Sequence, residues 1–315
     1  MHPGIILLDE PTSQLDRKGK ENLCSVLIGL KRQGISIIIA EHNIEPFVGL
    51  VDRYFLMDDG RMKAVLDTPP DQYRCAKHSS SREESRQSGT RGGTPVIDAS
   101  ELCFCYSGNG TGLHDLSLEV APGELVHIYG ENGCGKSTLL KILAGALQPD
   151  SGNLRILEKN SIAAGGLIGT VALLFQNPQR QLFEDSVYDE VGFTLKRLGL
   201  QQNEIDARVK SALSACETSH LAERLPLTLS FGEQHRVALA SIIAPDPRIL
   251  LLDEPFAGLD PEQRLRLLHI LSSLRDSRGT SIIIASHDPL PDPEWADRII
   301  PMEDGKFISK LNGHL

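Results

Sequence analysis

Residues 125–147 read LVHIYGENGCGKSTLLKILAGAL, and this stretch decides the fold. The apolar run LVHIY (125–129) has the composition of a buried strand. STLLKILAGAL (137–147) reads as a helix that Gly145 and Pro149 help to stop. Between them, GENGCGKST (130–138) fits G-x-x-x-x-G-K-[ST] through Gly130, Gly135, Lys136 and Ser137. Glycines let backbone N–H groups turn inward around phosphate oxygens, and the following helix adds its positive end. In this context the spacing predicts a phosphate cradle, with Lys136 on the β/γ-phosphates and the Ser137 hydroxyl on Mg²⁺.

The remaining apolar runs agree with that reading. VALLF (171–175), RILLL (248–252) and SIIIA (281–285) are continuous rather than alternating, as parallel strands covered on both faces should be. Helical patterns alternate with them. PEQRLRLLHILSSLRDSRG (261–279) has Asp260 as N-cap, Pro261 at the first helical position and Gly279 as the stop. The pattern is α/β with a parallel sheet. Asp253 and Glu254 end the RILLL strand, where Asp253 can hold Mg²⁺ through water and Glu254 can polarise an attacking water.

The chain also repeats itself. PGIILLDEPTSQLD (3–16) answers PRILLLDEPFAGLD (247–260), and SIIIAEH (36–42) answers SIIIASH (281–287). DRYFLMDDGR (52–61) answers DRIIPMEDGK (297–306), the offset being 244 residues at first and then 245. A register held that long is an internal duplication. Between the copies, KHSSSREESRQSGTRGGTP (77–95) lacks aliphatic side chains to bury and reads as a flexible linker. We therefore expect a C-terminal fragment of a first domain at 1–73, a linker at 74–94 and a complete domain at 95–315. The fragment lacks a phosphate loop of its own, predicting either an internal start within a longer tandem gene or a truncated one, with strand edges left uncovered.

Bulk properties narrow the function. A net charge of −10 argues against a general nucleic-acid binder. No apolar run approaches the roughly 20 residues of a membrane helix, and no signal peptide is visible. Of the six cysteines (Cys24, Cys75, Cys103, Cys105, Cys134 and Cys216), only Cys103 and Cys105 are close together, so reduced cytosolic thiols are a better reading than a zinc site.

LSFGE (229–233), shortly before the Asp253 strand, resembles the LSGGQ signature of ABC-type ATPases. Ser230 and Glu233 are also spaced as a capping box. Phe231 stands in place of the first Gly and Glu233 in place of Gln, while Ser230 and Gly232 remain. FQNPQRQLFEDSVYDEVGF (175–193) is similar to the ATPases of energy-coupling-factor transporters, importers of cobalt, nickel and vitamins.

The resemblance implies a P-loop NTPase of ABC ATPase type. Its mostly parallel sheet would be flanked by helices, with an antiparallel β subdomain and a helical subdomain. It implies that Gly130, Glu131, Asn132, Gly133, Cys134, Gly135, Lys136, Ser137 and Thr138 hold ATP, with Tyr106 stacked on adenine; ordinary packing remains open for Tyr106. Ser230, Gly232 and the D-loop Asp260 would face nucleotide across a domain pair. Glu254, the switch residue His287 and the Q-loop Gln176 would be catalytic, and Ser137, Gln176 and Asp253 would attend Mg²⁺. In the repeat, Asp16 and His42 match the D-loop and switch positions.

The implied partners are a second ABC ATPase domain (a homodimer or a paralogue), a transmembrane coupling subunit and a substrate-binding membrane subunit. The implied location is the cytoplasmic face of the cell membrane. A soluble ABC ATPase acting on ribosomes or nucleic acid, and a non-catalytic remnant, are the competing readings.

Overall fold

The computed structural model describes residues 3–12, 15–41, 44–58, 60–68, 94–106, 112–159 and 166–308. His42 and residues 74–93 of the expected linker lie outside them. The chain divides into two compact units, Met1–Ser85 and Arg86–Leu315.

The first unit runs β1 (Ile5–Asp9), α1 (Arg17–Arg32), β2 (Ser36–Ala40), β3 (Tyr54–Asp58) and β4 (Arg61–Leu66). β1 and β2 pair in parallel, and β3 and β4 form an antiparallel hairpin. Asp16 caps α1 by accepting from the Gly19 N–H at 2.7 Å. Leu27 and Phe47 are buried, but Ile5 and Leu7 are 62% and 73% exposed.

The second unit opens with β5 (Ile97–Cys105), β6 (Gly112–Val120), β7 (Leu125–Tyr129), α2 (Lys136–Leu143), β8 (Ser151–Ile156) and β9 (Val171–Leu174). It continues through α3 (Val187–Arg197), α4 (Gln202–Ala215), α5 (Phe231–Ile243), β10 (Ile249–Asp253), α6 (Pro261–Arg278), β11 (Ser281–Ser286), β12 (Arg298–Glu303) and β13 (Lys306–Phe307). Six strands form one sheet in the order β13-β12-β7-β11-β10-β9, all parallel except the last hairpin strand, β13. A separate antiparallel sheet has the order β6-β5-β8.

The continuous apolar runs explain themselves here. Leu125, Leu250, Leu252, Ile282 and Ile284 enter a core shared with α3, α4 and α5. Val126, Ile128, Ile249, Leu251 and Ile283 enter a second core shared with α2 and the antiparallel sheet. A central strand feeding two cores has no solvent face and therefore no polar alternation.

The duplication extends to strand register. β1 pairs β2 from Ile5↔Ser36 to Asp9↔Ala40, and β10 pairs β11 from Ile249↔Ser281 to Asp253↔Ala285. Glu10 and Glu254, one step past each strand, both adopt left-handed backbone at φ 42° and 49°. Each donates its N–H to the partner-strand carbonyl, of Ala40 and Ala285 respectively, at 2.8 Å. Such a conformation costs a non-glycine residue roughly 1 kcal/mol, which the flanking ladder must over-determine.

Helix α2 is shorter than its sequence pattern predicts. It ends at Leu143 because Gly145 takes φ 72° and the Ala146 N–H reaches back to the Lys141 carbonyl at 2.8 Å, closing the last turn. Helix α6 keeps its expected ends, with Asp260 as N-cap and Gly279 in left-handed backbone at φ 68°.

Candidate functional site

The GENGCGKST turn, the Asp253–Glu254 pair and His287 follow β7, β10 and β11, three neighbouring parallel strands, so they gather at one edge of the sheet. That edge is where open α/β sheets bind ligands. Gly133 and Gly135 take φ 84° and 111° in the turn. A Cβ at Gly130 would lie 2.3 Å from the Met302 carbonyl oxygen, so only glycine fits that close approach. The Cys134 thiol is buried under the turn, and burial pushes its pKa up, which makes it an inert packing group.

Lys136 is 5% exposed and folded into the turn, donating from Nζ to the carbonyls of Gly130 at 2.6 Å and Glu131 at 3.0 Å. Its Nζ also lies 3.4 Å from Glu254 Oε1, within charge attraction but without hydrogen-bond geometry. On the other side of the carboxylate, His287 Nδ1 lies 2.8 Å from Glu254 Oε2, and the His287 backbone N–H donates to the same oxygen at 3.2 Å. Lys136, Glu254 and His287 thus form one cluster of buried side chains beside the glycine turn.

Asp253 is also buried, and burial raises its pKa against the opposing hydrogen bond from Ser137. Its Oδ1 has no hydrogen-bond partner. A buried carboxylate oxygen left unpaired next to a serine hydroxyl is a donor set that suits Mg²⁺. Gln176 is half-buried two residues past the Leu252↔Leu174 pairing of β10 and β9, level with Glu254 along the sheet.

Tyr106 is 41% exposed, its ring edge-on to Phe104 and its hydroxyl 3.3 Å from Thr138 Oγ1. The ring therefore stands beside the loop on the surface rather than in the core.

The LSFGE segment lies elsewhere in the unit. Ser230 caps α5, and Glu233 Oε2 accepts the Ser230 N–H at 2.9 Å and its hydroxyl at 2.8 Å, as the capping-box spacing predicts. No hydrogen bond or ion pair joins Ser230 or Gly232 to the phosphate loop among the described residues. The tip instead meets the start of α6. A Cβ on Gly232 would come within 2.7 Å of Gln263 Nε2, and one on Gly258 within 2.9 Å of Phe231 Cε1. Asp260, the N-cap of α6, accepts from the Gln263 N–H at 2.8 Å, so the LSFGE tip and the start of α6 meet at one corner.

Two residues of the site escaped the sequence reading. Glu190 on α3 is 3% exposed and accepts the N–H groups of Phe183 and Glu184 at 2.8 and 2.9 Å, pinning the loop that follows Gln176. In SVYDEV it reads as an ordinary first-turn acid. His127 on β7 is 2% exposed, and only its polar character within an apolar run hinted at a role.

Comparison with known proteins adds an independent line. The family model described as ABC transporter matches residues 113–257. An ABC transporter ATP-binding protein of Methanosarcina mazei is 35% identical over 96% of this chain and 62% of its own length. One from Synechocystis sp. is 38% identical over 68% of this chain and 74% of its own length. The chain spans 62% and 59% of the length of two Methanosarcina relatives. Among solved structures, cbiO1 of Clostridium perfringens, part of the ABC transporter complex cbiONQ, superposes with a TM-score of 0.63. It is 34% identical, over 69% of this chain and 88% of that one. A dimeric ATP-binding cassette in a post-hydrolysis state with ADP and phosphate superposes with a TM-score of 0.62 at 25% identity, over 69% of this chain and all of that one.

Proposed function

The chain belongs to the ABC transporter ATP-binding family, and on that premise we propose that its second unit binds and hydrolyses ATP to energise a membrane importer of the energy-coupling-factor type. The observation that carries this reading is the buried Lys136–Glu254–His287 cluster at the edge of the phosphate loop.

The turn from Gly130 to Thr138 holds the phosphates, with Lys136 leaving the carbonyls of Gly130 and Glu131 for the β/γ-oxygens and Tyr106 offering its exposed ring to adenine. Ser137 and Asp253 would hold Mg²⁺, with Gln176 at its margin; the ion supplies charge neutralisation on the phosphate oxygens. Glu254 orients and polarises the attacking water, and His287 steadies the carboxylate and then the terminal phosphate. Ser230 and Gly232 close over the nucleotide of a second ATPase domain, an identical copy or a paralogue, with the positive end of α5 toward an anion.

The importer assignment is supported by the likeness to cbiO1 and by an aromatic pair, one ring exposed and one half-buried, next to the Gln176 loop. Phe183 is 60% exposed and stacks edge-on to Phe193 at 4.7 Å, a surface suited to a coupling subunit in the membrane. No helix among the described residues is long and apolar enough to cross a membrane. In this reading, attachment at the cytoplasmic face comes from the coupling and substrate-binding subunits.

The test is Mg-ATP binding and turnover by the purified chain, with Lys136→Ala as control. We expect saturable binding that the variant loses. Wild-type protein that neither retains nor splits Mg-ATP at any protein concentration overturns the proposal.

A further inference from the structure

His127 lies in the middle of β7, flanked by β12 and β11 and 2% exposed, where nothing about strand packing calls for an imidazole. Its Nε2 is 2.8 Å from Ser286 Oγ, and Ser286 Oγ donates in turn to the Asp288 backbone carbonyl at 2.6 Å. The serine has one proton, and the carbonyl takes it. Ser286 must therefore accept from His127, which fixes the imidazole as the Nε2–H tautomer. The relay His127 → Ser286 → Asp288 ties together the two residues that bracket His287.

Bond direction follows from strand register. His127 pairs with Ile284 on β11, so Ser286, two residues on, projects from the same face of the sheet. The tie is thus built into the sheet. Burial, aided by the Lys136 charge and opposed by that of Glu254, lowers the imidazole pKa to about 4, so it stays neutral and keeps its donor role at neutral pH.

We infer that His127, through Ser286, is a positioning residue that holds the 286–288 turn so that His287 meets Glu254. This rests on the hydrolysis reading above for its kinetic consequence, and on the relay geometry alone for its structural one.

The experiment compares the wild-type full chain with His127→Leu, His127→Gln, Ser286→Ala and the His127→Leu/Ser286→Ala double variant. Gln can return an N–H near the Nε2 position. Expected are an ATP KM within about twofold of wild type and a kcat lowered about tenfold in His127→Leu, the worth of one neutral hydrogen bond. His127→Gln should recover most of that loss. Ser286→Ala should match His127→Leu, and the double variant should be no slower than either single one, because both cut the same relay.

Amide hydrogen exchange over residues 286–288, read without nucleotide, should quicken in His127→Leu and Ser286→Ala and recover in His127→Gln. Unchanged exchange in both cutting variants, or losses in kcat that multiply, overturns the inference. Absence of turnover in the wild type overturns the hydrolysis reading instead, and the exchange data then decide the relay alone.

Discussion

Glu254 and His287 meet twice at a single oxygen. The imidazole Nδ1 and the backbone N–H of His287 approach Glu254 Oε2 at 2.8 and 3.2 Å. The left-handed backbone of Glu254 at φ 49° turns the carboxylate toward the neighbouring strand end and makes this double contact possible. If the carboxylate is the base, Glu254→Gln keeps ATP bound and lowers turnover by about 10²–10⁴-fold. His287→Ala keeps the base and loses its support, for a smaller loss of about 10–100-fold. Single-turnover hydrolysis with separately measured ATP affinity checks both, and normal turnover in Glu254→Gln rejects it as the base.

The corner between the signature tip and the D-loop yields a prediction about stability. Gly258 sits at φ 70°, with the space for its Cβ taken by the Phe231 ring. Gly258→Ala should cost roughly 1 kcal/mol for the left-handed backbone, plus the clash with the ring. Phe231→Ala should relieve the clash and leave the backbone cost. Denaturant melts of the two single variants and the double one give the coupling, and additive losses contradict the contact.

Glu233 places a carboxylate where the ABC signature has a glutamine. Hydrogen bonds from the Ser230 N–H and then its hydroxyl lower its pKa, so the charge persists. Glu233→Gln retains an acceptor for the Ser230 N–H, so stability should change by less than about 1 kcal/mol. If the tip closes over a partner's phosphates, removing the charge should raise turnover and weaken its salt dependence. Identical salt profiles for the two proteins argue against that closure.

Two buried histidines set an acid limit. Burial lowers both His127 and His235 to about 4, against roughly 6.5 in an unfolded chain. The unfolded state therefore binds more protons between those values. Their contribution to stability is complete above about pH 6.5 and is lost as pH falls toward 4, by at most about 1.4 kcal/mol per pH unit for each group. Urea melts from pH 7 to 5 should show that slope, and His235→Leu should flatten it by about half.

Much of this was legible from local chemistry. The GENGCGKST turn, the Asp260 and Ser230 caps, the Gly279 stop and the two-faced strands are written in short windows, and the structure forms them as read. What was not legible depends on partners distant in sequence. The seat of Phe231 against Gly258 and the reach of His127 to Ser286 join segments that no window contains. Leu7 and Leu251 sit in near-identical strings, yet one is 73% exposed and the other fully buried. The apolar pattern runs past the end of α2 because Gly145 takes a left-handed turn four residues before Pro149 would force a stop.

The matched registers of β1–β2 and β10–β11 also bear on how the chain reaches its native state. The molecule carries an internal competitor: either strand–helix–strand segment presents the right apolar teeth to the slot between β7 and β9. We expect a fraction of refolding chains to insert the wrong segment and then wait for its expulsion. Such a slow phase would be independent of protein concentration and would vanish when Leu7→Lys spoils the intruding strand. A slow phase unchanged by that substitution would point to another origin.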